Sequence, residues 1–195
     1  VADNSDSFIA IEVNVSCPNT EAGGKLFAFD SDSVKKIAEL VKKEIGDKLP
    51  IFIKLSSSVT SVVDIARGAV DGGADGLTLF NTSLGLVIDP YTRKPILGKG
   101  AGGYSGEGIF PIACRGVYEV RKVYPDIPII GIGGVNSGSD VASLMMCGAN
   151  AVGFATATFA NPRAVIKIAQ ELADFCFDTG VGKVSDLTNT IEMPL

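Results

Sequence analysis

The stretch FIAIEVNVSCPN, residues 8–19, joins an apolar segment to a polar loop and decides how the rest of the chain is interpreted. Residues 8–13 are apolar and partly β-branched, which is typical of a buried strand in a parallel sheet. The loop holds the thiol of Cys17 between the carboxamides of Asn14 and Asn19. Ligands of parallel α/β proteins bind where strands end in such loops. The stretch therefore predicts a functional loop, with the alternative that Cys17 is simply a small buried apolar residue.

Composition limits the possible classes of protein. The chain has 195 residues, 46% hydrophobic and 20% charged, which predicts a soluble globular chain with one sizeable core. A net charge of −5 without a long basic run disfavours nucleic acid or an anionic membrane surface as partner. No apolar run approaches the ~18 residues that span a bilayer.

The catalytic groups available are also limited. The chain contains four widely spaced cysteines and no histidine, which excludes catalysis by Ser–His or Cys–His pairs and histidine-based zinc sites. No metal site is predicted. A disulfide framework is not expected in a chain of this size, so a reducing, cytoplasmic setting is predicted.

Strand and helix patterns alternate along the whole chain, which is treated as a single domain, residues 1–195. The predicted strands are residues 8–13, 51–55, 76–80, 128–132 and 151–154. Helices are predicted over about 31–45, 61–71, 111–124, 139–147 and 162–177, with Asp30 or Ser31 capping the first and Thr60 the second. A long glycine-rich connection is expected between Gly85 and Gly108.

The same helix-to-strand join occurs twice, as GADGL at residues 73–77 and GANAV at residues 148–152. This repetition indicates βα units around a parallel sheet, either a (β/α) barrel or a doubly wound sheet. No dinucleotide-binding glycine motif follows the first strand. About five strands are found where a (β/α)₈ TIM barrel has eight, so we expect roughly strands four to eight, and a further segment of ~100 residues in the natural protein.

Two glycine or hydroxyl-bearing loops are candidates for binding a phosphate. Gly133 and Gly134 lead from a strand toward a helix, and backbone N–H groups there can approach an anion closely. Ala155 and Thr156 end the last predicted strand, and barrels commonly build phosphate sites from their last two loops. Glycine pairs are also common in turns that bind nothing.

Polar residues at two other strand ends are candidates for binding a ring-shaped ligand. Lys54 is the one charge in the strand of residues 51–55, and it either pairs with Glu12 or stabilises negative charge on a reduced cofactor. Asn81 and Thr82 supply amide and hydroxyl groups that suit a pyrimidine, although asparagine is more often a turn former.

Several motifs together resemble class 1 dihydroorotate dehydrogenase. They are residues 14–19, 53–55, 73–78 continuing to 81–82, 92–97 continuing to 102–106, and 130–135, in family order and at near-family spacing. The resemblance covers the C-terminal two-thirds of that family and is greatest to its NAD-linked heteromeric branch. It implies an FMN-binding TIM barrel that oxidises dihydroorotate to orotate in de novo pyrimidine (UMP) biosynthesis.

The resemblance also implies roles for individual residues. Cys17 would be the catalytic base. Substrate contacts would be Asn14, Asn19, Asn81 and Thr82. FMN contacts would be Asn14, Lys54, Phe80, Gly106, Gly133, Gly134, Ala155 and Thr156. The family usually has Gly-Thr where this chain has Ala155-Thr156.

Partners are implied in the same way. They are a homodimer and, in the NAD-linked branch, an iron–sulfur and FAD electron-transfer subunit; the sequence leaves fumarate open as the acceptor. Two other functions stay open: a dihydropyrimidine dehydrogenase-like flavin domain, which has a similar Ser-Cys-Pro loop, and a non-catalytic phosphate-binding barrel fragment.

Overall fold

The structure, a computed structural model, describes residues 7–16 and 27–194. Its main element is a sheet of five parallel strands in the order β1-β2-β3-β8-β9. These strands are β1 (Ile11–Asn14), β2 (Ile51–Leu55), β3 (Gly76–Leu79), β8 (Ile129–Ile132) and β9 (Ala151–Gly153). The order follows the chain without a reversal, which is how a barrel wall is built and differs from a doubly wound sheet.

Six α-helices connect or follow these strands in the described part of the chain. They are α1 (Ser31–Ile45), α2 (Val62–Asp71), α3 (Phe110–Val123), α4 (Gly138–Met146), α5 (Thr156–Ala160) and α6 (Ala164–Thr179). Asp30 caps α1 by accepting a hydrogen bond from the Ser33 amide. None of the described helices is long and apolar enough to cross a membrane.

Several predicted boundaries were wrong. β1 begins at Ile11 instead of residue 8, and Ser61 caps α2 in place of Thr60. The helix predicted from residue 162 begins at Ala164, and the short α5 precedes it. The glycine-rich connection holds two ribbons: β4 (Ser83–Gly85) pairs with β7 (Gly102–Tyr104), and β5 (Ile88–Asp89) with β6 (Lys94–Pro95).

Side chains alternate between the two faces of the sheet. Ile51, Ile53 and Leu55 of β2 are fully buried in the core that the helices cover. Phe52 and Lys54 therefore belong to the opposite face, because successive side chains of a strand alternate. That opposite face carries the polar residues described below.

The repeated join has one structural role at both of its positions. The Asp75 carboxylate accepts a hydrogen bond from the Ile51 amide at 2.9 Å, and the Asn150 carboxamide accepts one from the Ile129 amide at 2.9 Å. Each side chain thus caps the start of the neighbouring strand. The prediction of repeated βα units from this motif is confirmed.

Arg121 is the most deeply buried cation of the described residues, and it holds the second join together. Its guanidinium donates twice to the Gly148 carbonyl, at 2.8 and 2.9 Å, and once to Asn150 Oδ1 at 2.7 Å. It also donates to the carbonyls of Tyr124 and Pro125. Removal from water lowers the pKa of Arg121, so these five hydrogen bonds are what make its burial tolerable.

We expect Arg121→Ala to lower the free energy of unfolding by about 3 kcal/mol, because it leaves buried carbonyl groups without donors. Urea unfolding would measure this. Arg115→Ala on the same helix is the matched control. Among the described residues Arg115 pairs only with Glu119, near the surface, so its loss should cost less than about 1 kcal/mol. Equal effects of the two substitutions would contradict the prediction.

Candidate active site

A cleft of about 410 Å³ opens at the carboxyl ends of β2, β3, β8 and β9. Its size lies in the range of small-molecule and cofactor sites. Its described lining residues are Lys54, Phe80, Asn81, Thr82, Ser105, Gly106, Glu107, Ile109, Ile132, Gly133, Gly134, Val135, Asn136, Phe154, Ala155, Thr156, Ala157 and Ala160.

Most residues predicted from the sequence come together in this cleft. Lys54, Phe80, Asn81, Thr82, Gly106, Gly133, Gly134, Ala155 and Thr156 all line it. Asn14 is not among the lining residues. Cys17 and Asn19 lie outside the described residues. The placement brings the candidates together, while the individual contacts with a ligand stay predictions.

Gly133 and Gly134 form a wall of the cleft from backbone alone. Both have positive φ angles, +149° and +72°, which side-chain-bearing residues rarely adopt. A Cβ on Gly134 would lie 2.7 Å from the Phe110 nitrogen and 2.9 Å from the Gly106 carbonyl oxygen. Only glycine therefore allows this loop to pack against the start of α3.

The loop after β9 adds a helix N-terminus to the cleft. Ala155 is the N-cap of α5, and Thr156 is its first residue. The first-turn N–H groups of a helix have no acceptor within that helix and can bind an anion. Ala155 is exposed and has a φ of −128°, outside the left-handed region that favours glycine.

A short chain of hydrogen bonds joins the ends of β1 and β3. The Asn14 side-chain oxygen accepts from the Ser16 amide at 3.0 Å and from the Ser16 hydroxyl at 2.8 Å. Asn81 Nδ2 donates to the Ser16 carbonyl at 3.3 Å, and its Oδ1 accepts from the Thr82 amide at 2.8 Å. Asn14 and Asn81 thus fix the backbone at Ser16, the residue before Cys17.

The ion pair predicted for Lys54 is confirmed, and its role toward a reduced cofactor stays a prediction. Its ammonium lies 3.1 Å from Glu12 Oε1, as the ion-pair interpretation expects. The same side chain lines the cleft, and it is the only cation among the described lining residues. Its charge is therefore both partnered and available to a ligand.

None of the three described cysteines lines the cleft. Cys114 and Cys147 contact each other between α3 and the end of α4. Their shared hydrogen bond raises the pKa of Cys114, and partial burial raises it further. The same hydrogen bond lowers the pKa of Cys147 and outweighs burial, which acts in the opposite direction. Cys176 is buried against the core on α6.

Sequence reasoning missed several polar lining residues. Glu107 Oε1 accepts a hydrogen bond from Asn136 Nδ2 at 2.7 Å, which links the loop after β7 to the loop after β8. Ser105 stands next to Gly106 in the first of these loops. These residues could have been predicted from their positions near Gly106 and Gly134, because residues next to a glycine of the site lie in the same loop.

A model of the family described as dihydroorotate dehydrogenase matches residues 4–176 of this chain. The catalytic subunit of dihydroorotate dehydrogenase B (NAD(+)) from Desulforamulus reducens is 39% identical over 191 residues, covering 98% of this chain and 62% of that protein. Dihydroorotate dehydrogenase A (fumarate) from Lactobacillus helveticus is 42% identical over 183 residues, covering 94% of this chain and 59% of that protein.

A solved structure shows the same fold. The crystal structure of DHODH from Eimeria tenella in complex with ferulenol matches with a TM-score of 0.76 and 23% identity. The match covers 92% of this chain and 53% of that one. The chain spans about three fifths of the length of the curated relatives named above, 62% and 59%. On the family match and these identities, the chain belongs to the dihydroorotate dehydrogenase family.

Proposed function

We propose that this chain forms the FMN- and substrate-binding part of a dihydroorotate dehydrogenase, which oxidises dihydroorotate to orotate in pyrimidine biosynthesis. The observation that carries the proposal is the cleft. The cleft lies in a chain of this family and is lined by the Lys54 cation and the Asn81 amide. Two loops that contain glycine or a hydroxyl group also line it, at adjacent strand ends. We further propose that the five parallel strands correspond to strands four to eight of a (β/α)₈ barrel.

The lining residues fit FMN. The Gly133-Gly134 backbone and the first turn of α5 offer N–H groups to its phosphate. Lys54 offers a positive charge to its ring system, with Phe80 and Gly106 as further contacts. FMN, when bound, supplies the chemistry of a hydride acceptor.

The chain's own residues supply the proton chemistry and the orientation of the substrate. Dihydroorotate must lose a proton from C5 and a hydride from C6. Cys17, as a thiolate, is the proposed acceptor of the C5 proton. Asn14, Asn19, Asn81 and Thr82 are the proposed substrate contacts, since paired donors and acceptors match a pyrimidine. Support comes from Asn81, which lines the cleft and also binds the carbonyl of Ser16, next to Cys17.

The electron acceptor is a separate part of the proposal. The two relatives named above use NAD(+) and fumarate according to their names, and their identities to this chain are similar, 39% and 42%. We keep the NAD-linked assignment, with an iron–sulfur and FAD subunit as partner, because the relative from Desulforamulus reducens is named a catalytic subunit, a name that implies a second subunit. Fumarate stays the alternative acceptor. A homodimer and a cytoplasmic location stay predictions.

The deciding experiment is anaerobic mixing of the FMN-loaded protein with dihydroorotate, followed by flavin absorbance. We expect dihydroorotate to bleach the flavin and dihydrouracil to leave it oxidised. Bleaching by dihydrouracil alone would favour the dihydropyrimidine dehydrogenase alternative. A protein that neither holds FMN nor gains stability from it would be a non-catalytic fragment.

A second experiment tests the acceptor. The reduced protein is mixed with fumarate or with NAD in the absence of any other subunit. We expect neither to reoxidise the flavin rapidly. Rapid reoxidation by fumarate would assign the fumarate type, and rapid reduction of NAD would remove the need for a partner subunit.

A further inference from the structure

Three polar side chains from three neighbouring strands meet below the cleft: Glu12 of β1, Lys54 of β2 and Thr78 of β3. Glu12 Oε1 lies 3.1 Å from Lys54 Nζ, and Glu12 Oε2 accepts a hydrogen bond from the Thr78 hydroxyl at 2.8 Å. Both oxygens of one carboxylate are therefore engaged, one by the cation and one by a neutral donor. We call these residues the Glu12 trio.

The strand register shows that Glu12 reaches across two layers of side chains. Lys54 pairs in register with Thr78, and both belong to the layer nearer the carboxyl ends of the strands. Glu12 pairs with Phe52, one layer lower. Its side chain must extend diagonally upward to meet both partners, a distance that long side chains can cover.

The surroundings restrict Thr78 and Lys54 more than Glu12, whose side chain is 40% exposed. Thr78 is fully buried, and its β-branched side chain has few rotamers available. The ring of Phe52 covers Gly76 directly below, where any side chain would collide with it. Only 21% of the Lys54 side chain is exposed. A partly buried lysine on a flexible stem needs such partners to hold one position.

We propose that Glu12 and Thr78 are positioning residues that hold the Lys54 ammonium at the floor of the cleft, where it stabilises negative charge on the reduced flavin. This inference rests on the proposed function, because it assigns Lys54 to FMN. Thr78 orients Glu12, and Glu12 orients Lys54. Neither Glu12 nor Thr78 lines the cleft, so neither is a catalytic residue.

The substitutions that test the positioning role leave the net charge unchanged. Glu12→Asp keeps the carboxylate but withdraws it by one methylene, and Thr78→Val removes the hydroxyl at nearly constant volume. Thr78→Ser keeps the hydroxyl and is the matched control. The readout is the midpoint potential of bound FMN, which a merely structural role in folding would not move.

We expect the preference of the protein for reduced over oxidised FMN to fall about tenfold in Glu12→Asp. This change corresponds to a midpoint potential about 30 mV lower. Thr78→Val should lose about threefold, or about 15 mV, and Thr78→Ser should match the parent. Lys54→Met shows the full effect of losing the cation. If Lys54→Met lowers the potential while Glu12→Asp and Thr78→Val leave it unchanged, the positioning role is wrong although the assignment of Lys54 to FMN stands.

A second readout needs no FMN. Acetic anhydride labelling of the apo-protein, followed by mass spectrometry, gives the reactivity of the Lys54 amine relative to the exposed Lys48. We expect Lys54 to become about threefold more reactive in Glu12→Asp and to stay unchanged in Thr78→Ser. Unchanged reactivity in Glu12→Asp would overturn the inference even if FMN proved not to be the ligand. If Lys54 becomes more reactive in Glu12→Asp but Lys54→Met leaves the FMN potential unchanged, the positioning role stands and the assignment of Lys54 to FMN in the proposed function is wrong.

Discussion

Replacement of Cys17 by alanine should slow reduction of bound FMN by dihydroorotate by roughly 100-fold to 10,000-fold, the range that a general base contributes. FMN affinity should stay the same, because Cys17 is assigned to the substrate proton and not to the cofactor. The physical reason is that Cys17 is the proposed acceptor of the C5 proton. The chain has no histidine and none of its three described thiols lines the cleft, so no imidazole or described thiol could take its place. Stopped-flow measurement of flavin absorbance gives the rate directly.

Cys176→Ala is the control for this prediction, because Cys176 is a buried thiol on α6 outside the cleft. It should leave the reduction rate unchanged. Cys17→Ser should retain part of the rate and shift its pH dependence upward, since a hydroxyl is a weaker acid than a thiol. An unchanged rate in Cys17→Ala would remove the base from the proposal and leave the FMN site intact.

The periodic features of the chain could be predicted well. Each parallel strand was located, because an apolar, β-branched run bounded by turn residues has few other interpretations. The prediction for β2, residues 51–55, matches the structure at both ends. The join motif could be interpreted correctly because the third residue of each copy has the same role. Asp75 and Asn150 each accept a hydrogen bond from the first amide of a neighbouring strand.

Features that depend on tertiary contacts were missed. The ribbons β4–β7 and β5–β6 have too few residues to show a period, and α5 spans only five. Glu12 was predicted only as an alternative partner for Lys54, and its second contact with Thr78 had no local signal, since 66 residues separate the two. The hydrogen bonds from the Ser16 amide and hydroxyl to the Asn14 side-chain oxygen also had no signal in the sequence, while the contact of Asn14 with a ligand stays a prediction.

Replacement of Gly134 by alanine should weaken FMN binding by more than about 100-fold. The added Cβ would stand at a φ of +72° and within 3.0 Å of the backbone of both Phe110 and Gly106. These are backbone atoms, which cannot rotate away as a side chain can. The loop must therefore shift, and the N–H groups that we assign to the FMN phosphate shift with it. Titration of the apo-protein with FMN, followed by flavin fluorescence, measures the loss.

Gly180→Ala is the control variant for Gly134→Ala, because it adds backbone strain without a collision. Gly180 ends α6 at a φ of +71°, nearly the angle of Gly134, but a Cβ there would meet nothing within 4 Å. The two substitutions therefore carry the same conformational penalty, roughly 1 kcal/mol in stability. Only Gly134→Ala adds the collision and lies in the cleft. We expect Gly180→Ala to lower the free energy of unfolding slightly and to leave FMN affinity unchanged. If both variants bound FMN like the parent, the phosphate would have to sit elsewhere, and the assignment of Gly133 and Gly134 to it would be wrong.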